Sequence, residues 1–161
     1  MANRPVDLLI AYRVIKMLVT PFKDQPAYKY GIIDDKGKVL IKFKDVKGTA
    51  EKRSYTVLHR FVFNLKRILS KVGIRGKLGS FAVAAALLLR ENKRYAIHKE
   101  TIESAVITYL KENNLYEEIL NESREIPEVY TDDKFFCTCF GVDVYEKDGE
   151  LKSEFDYAKT L

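Results

Sequence analysis

Nine consecutive apolar residues, Phe81–Leu89, four of them alanine, constrain this 161-residue chain more than any other stretch. Read from Ser80, a residue type that caps helices, to about Glu91, the run has almost no polar face. A helix of that kind has to pass through the middle of a domain with other elements packed around it. It is far short of the ~18–20 residues of a membrane span, and no longer apolar run exists, so the sequence calls for no membrane.

The flanking segments supply the packing partners. Pro5–Thr20 reads as a first helix, with Pro5 in the first turn, Asp7 complementing the dipole and Pro21 ending it. Its apolar residues, Leu8, Leu9, Ile10, Val14, Ile15, Leu18 and Val19, spread over much of the circumference, which predicts a well-buried helix. Ala50–Val72 reads as one long helix, capped by Thr49 and stopped by Gly73. Tyr55, Leu58, Phe61, Val62, Leu65, Ile68, Leu69 and Val72 make its apolar face. Arg53, Arg60, Asn64, Arg67 and Lys71 fall within about 60° of one another on the opposite side. Lys99–Asn113 reads as a further helix that resumes over Leu115–Leu120 before Pro127.

Two stretches alternate in the strand manner. Tyr28–Ile33 and Lys38–Phe43 flank Asp34-Asp35-Lys36-Gly37, and Phe135–Tyr145 is followed by the turn Glu146–Gly149 and by Leu151–Tyr157. The expected fold class is α+β: a central bundle of three to five helices with an N-terminal and a C-terminal β-hairpin, in a single domain over residues 1–161. The strands are too far apart in sequence for βαβ units. With 47% hydrophobic residues, ten Tyr and nine Phe, the chain has the means to fill a core. The apolar stretch Leu8–Val19 is interrupted by Arg13 and Lys16 and lacks a cleavage pattern, so it does not read as a secretion signal. Cys137 and Cys139 are too few for a disulfide framework and read as reduced thiols on one face of a strand, in a cytosolic setting.

Charge is split along the sequence. Residues 1–99 hold 22 Lys/Arg against 7 Asp/Glu, and residues 100–161 hold 6 against 16. Balances of +15 and −10 point to a polyanion or to an electrostatically docked protein as partner. The residues placed to make such contacts are the helical stripe Arg53, Arg60, Asn64, Arg67 and Lys71 and the glycine-rich turn after it, Arg75, Gly76, Lys77 and Ser80. Glycines let a ligand approach the backbone, and a helix N-terminus favours an anion. The bland reading of the stripe is a solvated face, and that of the turn an αα-corner needing glycine. Phe63, near Lys52 and Lys66, is placed either to stack on a base or to pack beneath the strands.

No constellation identifies a reaction. His59 and His98 lack metal-ligand spacing with the two cysteines, and no GxxxxGK[ST] string is present. Glu117, Glu118, Glu122, Glu125 and Glu128 could serve acid–base chemistry, but the pair Glu118–Glu122 reads as one solvated helix face. No catalytic residue, metal or cofactor is assigned, and the chain reads as non-enzymatic.

The segment helix, Gly73-Ile74-Arg75-Gly76-Lys77, helix resembles the helix–hairpin–helix pattern, which offers backbone N–H groups to a nucleic-acid phosphate. It departs from that pattern at Arg75-Gly76. A broader resemblance covers roughly Ala11–Leu89. Ala11-Tyr12-Arg13-Val14-Ile15-Lys16-Met17-Leu18-Val19-Thr20-Pro21-Phe22, Tyr30-Gly31-Ile32-Ile33-Asp34, Glu51-Lys52, Leu58-His59-Arg60-Phe61 and Asn64-Leu65-Lys66-Arg67 resemble a family of small proteins of large tailed bacteriophages. The resemblance implies an association with virion or head–tail assembly and supplies no catalytic residue. The expected function is therefore a bacteriophage structural or assembly protein with a basic and an acidic face. Its expected partners are other virion proteins or further copies of itself, met in the host cytoplasm during assembly and in the virion. The alternative is a sequence-nonspecific nucleic-acid-binding accessory protein that uses the stripe and the turn.

Overall fold

A computed structural model describes residues 5–71, 76–126 and 128–158. The fold is α+β, with eight helices and one three-stranded antiparallel sheet among those residues. Helix α1 spans Pro5–Val19, α2 Pro26–Lys29, α3 Thr49–Arg53, α4 Val57–Leu69 and α5 Leu78–Glu91. They are followed by α6 (Lys99–Glu112), α7 (Tyr116–Ser123), strands β1 (Lys134–Cys139), β2 (Val142–Lys147) and β3 (Glu150–Ser153), and α8 (Glu154–Ala158).

Helix α5 occupies the centre, as its composition demands. Nine of its residues are buried, and α4, α7, α8 and all three strands pack on it. Helix α1 crosses α4 and α6. Gly79 lets the first turn of α5 lie against the sheet, since a Cβ there would come within 2.6 Å of the Ser153 hydroxyl and 3.2 Å of the Phe155 ring. No described helix is long and apolar enough to cross a membrane.

The long helix expected over Ala50–Val72 is two helices. Ser54 and Tyr55 are buried at the break, and Thr56 caps α4: its hydroxyl accepts from His59 N, while the His59 ring accepts from Thr56 N. Histidine here takes the place that Glu or Gln holds in the usual capping box. The cap of α3 is Gly48 and not Thr49. Arg53 consequently sits on a different helix from Arg60, Asn64 and Arg67, and the stripe of five is broken.

The N-terminal hairpin contracts to one bridge, Ile33 with Val39. The turn itself is as expected. Asp34 Oδ1 accepts from Lys36 N at 2.9 Å and Lys38 N at 2.8 Å, and Gly37 takes φ +82° with the Phe22 ring against it. Strands do not extend from it, because Pro26 starts helix α2 on one side and the chain turns into a 3₁₀ turn, Phe43–Asp45, on the other. Residues 20–56 instead close over a satellite core of Ala27, Ile32, Ile33, Val46, Tyr55 and Phe63. The C-terminal hairpin gains a strand: Phe140 and Gly141, both at positive φ, turn the chain inside the stretch Phe135–Tyr145 and make a three-strand meander. Leu151–Tyr157 is β3 followed by α8, not one strand.

Helix α1 is buried on one side only. Ile10, Val14, Met17 and Leu18 face the core, while Leu8, Leu9, Tyr12 and Val19 are each more than half exposed.

Candidate functional site

The turn leading into α5 was expected to hold an external anion, and an internal one holds it. Glu122, buried on α7, accepts from Gly76 N and, at 2.7 Å, from Leu78 N. The carboxylate thus satisfies the first amide of α5 and the Gly76 amide just before its cap, and meets the positive end of the helix dipole. Ser80 lies inside the helix and makes no cap, and the N-cap position belongs to Lys77. Lys77 is also engaged: its ammonium donates to Ile68 O at 2.7 Å and Lys71 O at 2.8 Å, across the end of α4. Arg75 and Gly73 lie outside the described residues. Of the residues expected to meet a phosphate or a partner here, Gly76 and Lys77 are engaged by internal partners, and Ser80 is exposed in the first turn of α5.

The same device recurs at the end of α1. Lys66 lies over the Phe22 ring at 4.6 Å and donates to Met17 O at 3.2 Å and to Thr20 O. Burial lowers its pKa from the ordinary lysine value. Gln25, itself buried, donates to the same two carbonyls. Phe63 takes the packing role: it is buried, edge-on to Phe22 and His59 and stacked with Tyr55.

Arg60, Asn64 and Arg67 do stay together. They line a cavity of about 250 Å³ between α4 and α5, with Tyr55, Phe61 and Leu88 among its walls and Glu91 beside them. A second cavity of about 320 Å³ shares Asn64, Ala84 and Leu87 and continues to Ser80, Ser153 and Asp156, so the two form one groove. Arg60 Nη1 pairs with Glu91 at 2.8 Å, and its guanidinium lies 4.4 Å from the centre of the exposed Phe43 ring. Arg67 Nη2 donates to Asn64 Oδ1 at 3.5 Å. The Nε atoms of both arginines are buried and find no acceptor among the described residues. Lys71 is exposed beyond the end of α4, and Arg53 is exposed on α3.

The cysteines point to one side of β1, with Sγ atoms 3.5 Å apart. The contact between the two thiols lowers the pKa of the half-buried Cys137, and together with burial it raises that of Cys139. His59 is pulled down to about 4 by burial and by the neighbouring Arg13, so it is neutral. His98 Nδ1 lies 2.7 Å from Asp7 Oδ1. Among the described residues no three His, Cys, Asp or Glu side chains converge as a metal site.

Sequence reasoning missed the basic surface of residues 20–56. Lys29, Lys36, Lys38, Lys42, Lys44 and Lys47 are exposed, and none makes an ion pair among the described residues. Tyr28, Tyr30, Leu40, Ile41 and Phe43 are exposed between them. The runs read as a hairpin in sequence, but which of their side chains share one surface depends on how residues 20–56 close over Tyr55 and Phe63. No family model matches the sequence, no curated protein matches it, and no solved structure matches the fold.

Proposed function

We propose that this is a non-enzymatic bacteriophage assembly protein that docks through two oppositely charged surfaces. The observation that carries the reading is where the charges left over from internal capping lie. Residues 20–56 hold nine Lys/Arg against five Asp/Glu and pack on α4 through Tyr55 and Phe63. Residues 128–158 hold three against nine, and their strands pack on α5. Between described residues, the ion pairs joining the first 99 residues to the rest are Arg90–Glu146 and Lys99–Glu103. Among the described residues, no ion pair joins the basic residues 20–56 to the acidic residues 128–158.

A molecule with unlike faces favours heterologous contacts, in which the basic surface of one copy, or of another virion component, meets the acidic surface of the next. Charge of this kind sets orientation and encounter rate more than affinity. Light scattering against salt tests the reading: species larger than those at about 0.5 M NaCl form at about 50 mM, because screening tightens between those strengths. An average mass that does not change with salt, with or without the partner virion proteins, overturns it.

A second reading keeps the α4–α5 groove for nucleic acid. It rests on Arg60 lying over the exposed Phe43 ring beside Arg67, an arrangement suited to stacking and to phosphate contact. Replacing Arg67 and Lys71 then flattens the dependence of single-stranded DNA affinity on log salt. An unchanged slope rejects that surface.

A further inference from the structure

We infer that the outward face of α1 is a self-association surface, and that a second copy of this chain covers it as an antiparallel, two-fold helix pair. At about 100° per residue, Leu8, Leu9, Tyr12, Lys16 and Val19 share the side of α1 opposite the buried Ile10, Val14 and Met17. Leu8 and Leu9 are each 56% exposed, Tyr12 60% and Val19 59%. A helix that is apolar on both sides is normally covered on both, and four large side chains on one outward face exceed the scattered exposure of an ordinary surface.

Size and charge favour a copy of the same helix. The face exposes on the order of 500 Å² per copy, so close pairing removes up to about 1,000 Å² in all, where specific interfaces begin. Lys16 sits in the middle of the face, between Leu9 and Tyr12, with its ammonium 5.8 Å from the Tyr12 ring centre. A bilayer surface suits a helix with its cations at the rim and not in the middle of the apolar face. A parallel pair would set Lys16 against Lys16. An antiparallel pair with its axis near Tyr12 sets Lys16 against Leu9. The two ammonium groups then stand roughly 10 Å apart along the axis, from a rise of 1.5 Å per residue, and each can lie along a Tyr12 ring toward water.

The contact is apolar, so salt separates it from the charge-driven docking proposed above. Sedimentation velocity of the full chain at about 1 M NaCl, where surface charge is screened, reads it alone. A species of twice 18.6 kDa is expected. Leu9→Glu/Tyr12→Glu weakens it by about a hundredfold or more, and Leu8→Glu/Val19→Glu, at the two ends of the same face, does the same. Leu40→Glu, at a position 59% exposed elsewhere, leaves it intact. All variants keep the far-ultraviolet dichroism of the parent, since the changed side chains project outward. A monomer throughout, a dimer indifferent to both double variants, or recovery on anionic phosphatidylserine vesicles without a dimer overturns the inference. Loss of the low-salt species alone refutes the charge-driven reading and leaves this one standing.

Discussion

Removing the Glu122 carboxylate exposes how much the fold depends on capping between distant elements. In Glu122→Ala, Leu78 N, at a fully buried residue, loses the carboxylate it donates to, while Gly76 N, at an exposed residue, can turn to water. A buried donor left unpaired costs about 1–3 kcal/mol, and a hydrogen bond to a charged group contributes about 1.5–3 net. Lost compensation of the α5 dipole adds up to about 1 kcal/mol. The expected destabilisation is about 3–4 kcal/mol, or roughly 6–16 °C in melting temperature for a domain of this size. Glu122→Gln keeps an acceptor and loses the charge, so it costs about half as much. Guanidinium unfolding gives the free energies, and hydrogen exchange at the Leu78 amide localises the effect. A cost below about 1 kcal/mol for Glu122→Ala, or an unchanged Leu78 exchange rate, refutes the capping role.

Other outcomes follow from the same geometry. Lys66→Met and Lys77→Met each remove a cation from the last carbonyls of a helix and lower stability by about 1–2 kcal/mol, measured by the same unfolding curves. The neutral His59 makes stability depend on pH: its ring takes a proton less readily folded than unfolded, so below about 6.5 the unfolded chain gains the extra proton. Stability then falls between pH 6.5 and about 4, by on the order of 3 kcal/mol, and His59→Gln flattens that limb. Alkylation followed by mass spectrometry finds Cys137 modified first and Cys139 only after unfolding, because Cys137 is the more accessible thiol and the one whose thiolate is stabilised.

What could be read from the sequence was whatever a local pattern determines. The central placement of α5 follows from Phe81–Leu89 alone, the ends of α1 from Pro5 and Pro21, and the turn at Asp34–Gly37 from its residue types. The break between α3 and α4 was hidden because Tyr55 and Leu58 keep the helical phase across it, and because Thr56-x-x-His59 disguises a capping box. The extra strand turn was hidden because Phe140, a bulky residue, takes a positive φ that the glycine after it alone did not announce. Of the anticipated contact residues, Arg60, Asn64 and Arg67 meet in one groove, whereas Gly76 and Lys77 turn inward to partners that spacing cannot reveal. Glu122 lies 44 residues from the amide it caps, and its one local signal is that it shares the apolar side of α7 with Ile119. The charge split survives in a narrower form: part of it closes helix ends, and the rest forms the Lys29–Lys47 surface and the acidic sheet.

Complementary charge reversal tests that division most directly. One variant carries Lys38→Glu/Lys42→Glu/Lys44→Glu on the basic surface, the other Asp132→Lys/Glu150→Lys on the acidic one, all at exposed positions. Sedimentation at about 50 mM salt should find each variant unable to form the low-salt species alone, and their mixture forming a hetero-complex through the one intact pair of faces. If both variants assemble as the parent does, or if the mixture gains nothing over its components, the two-faced account is wrong.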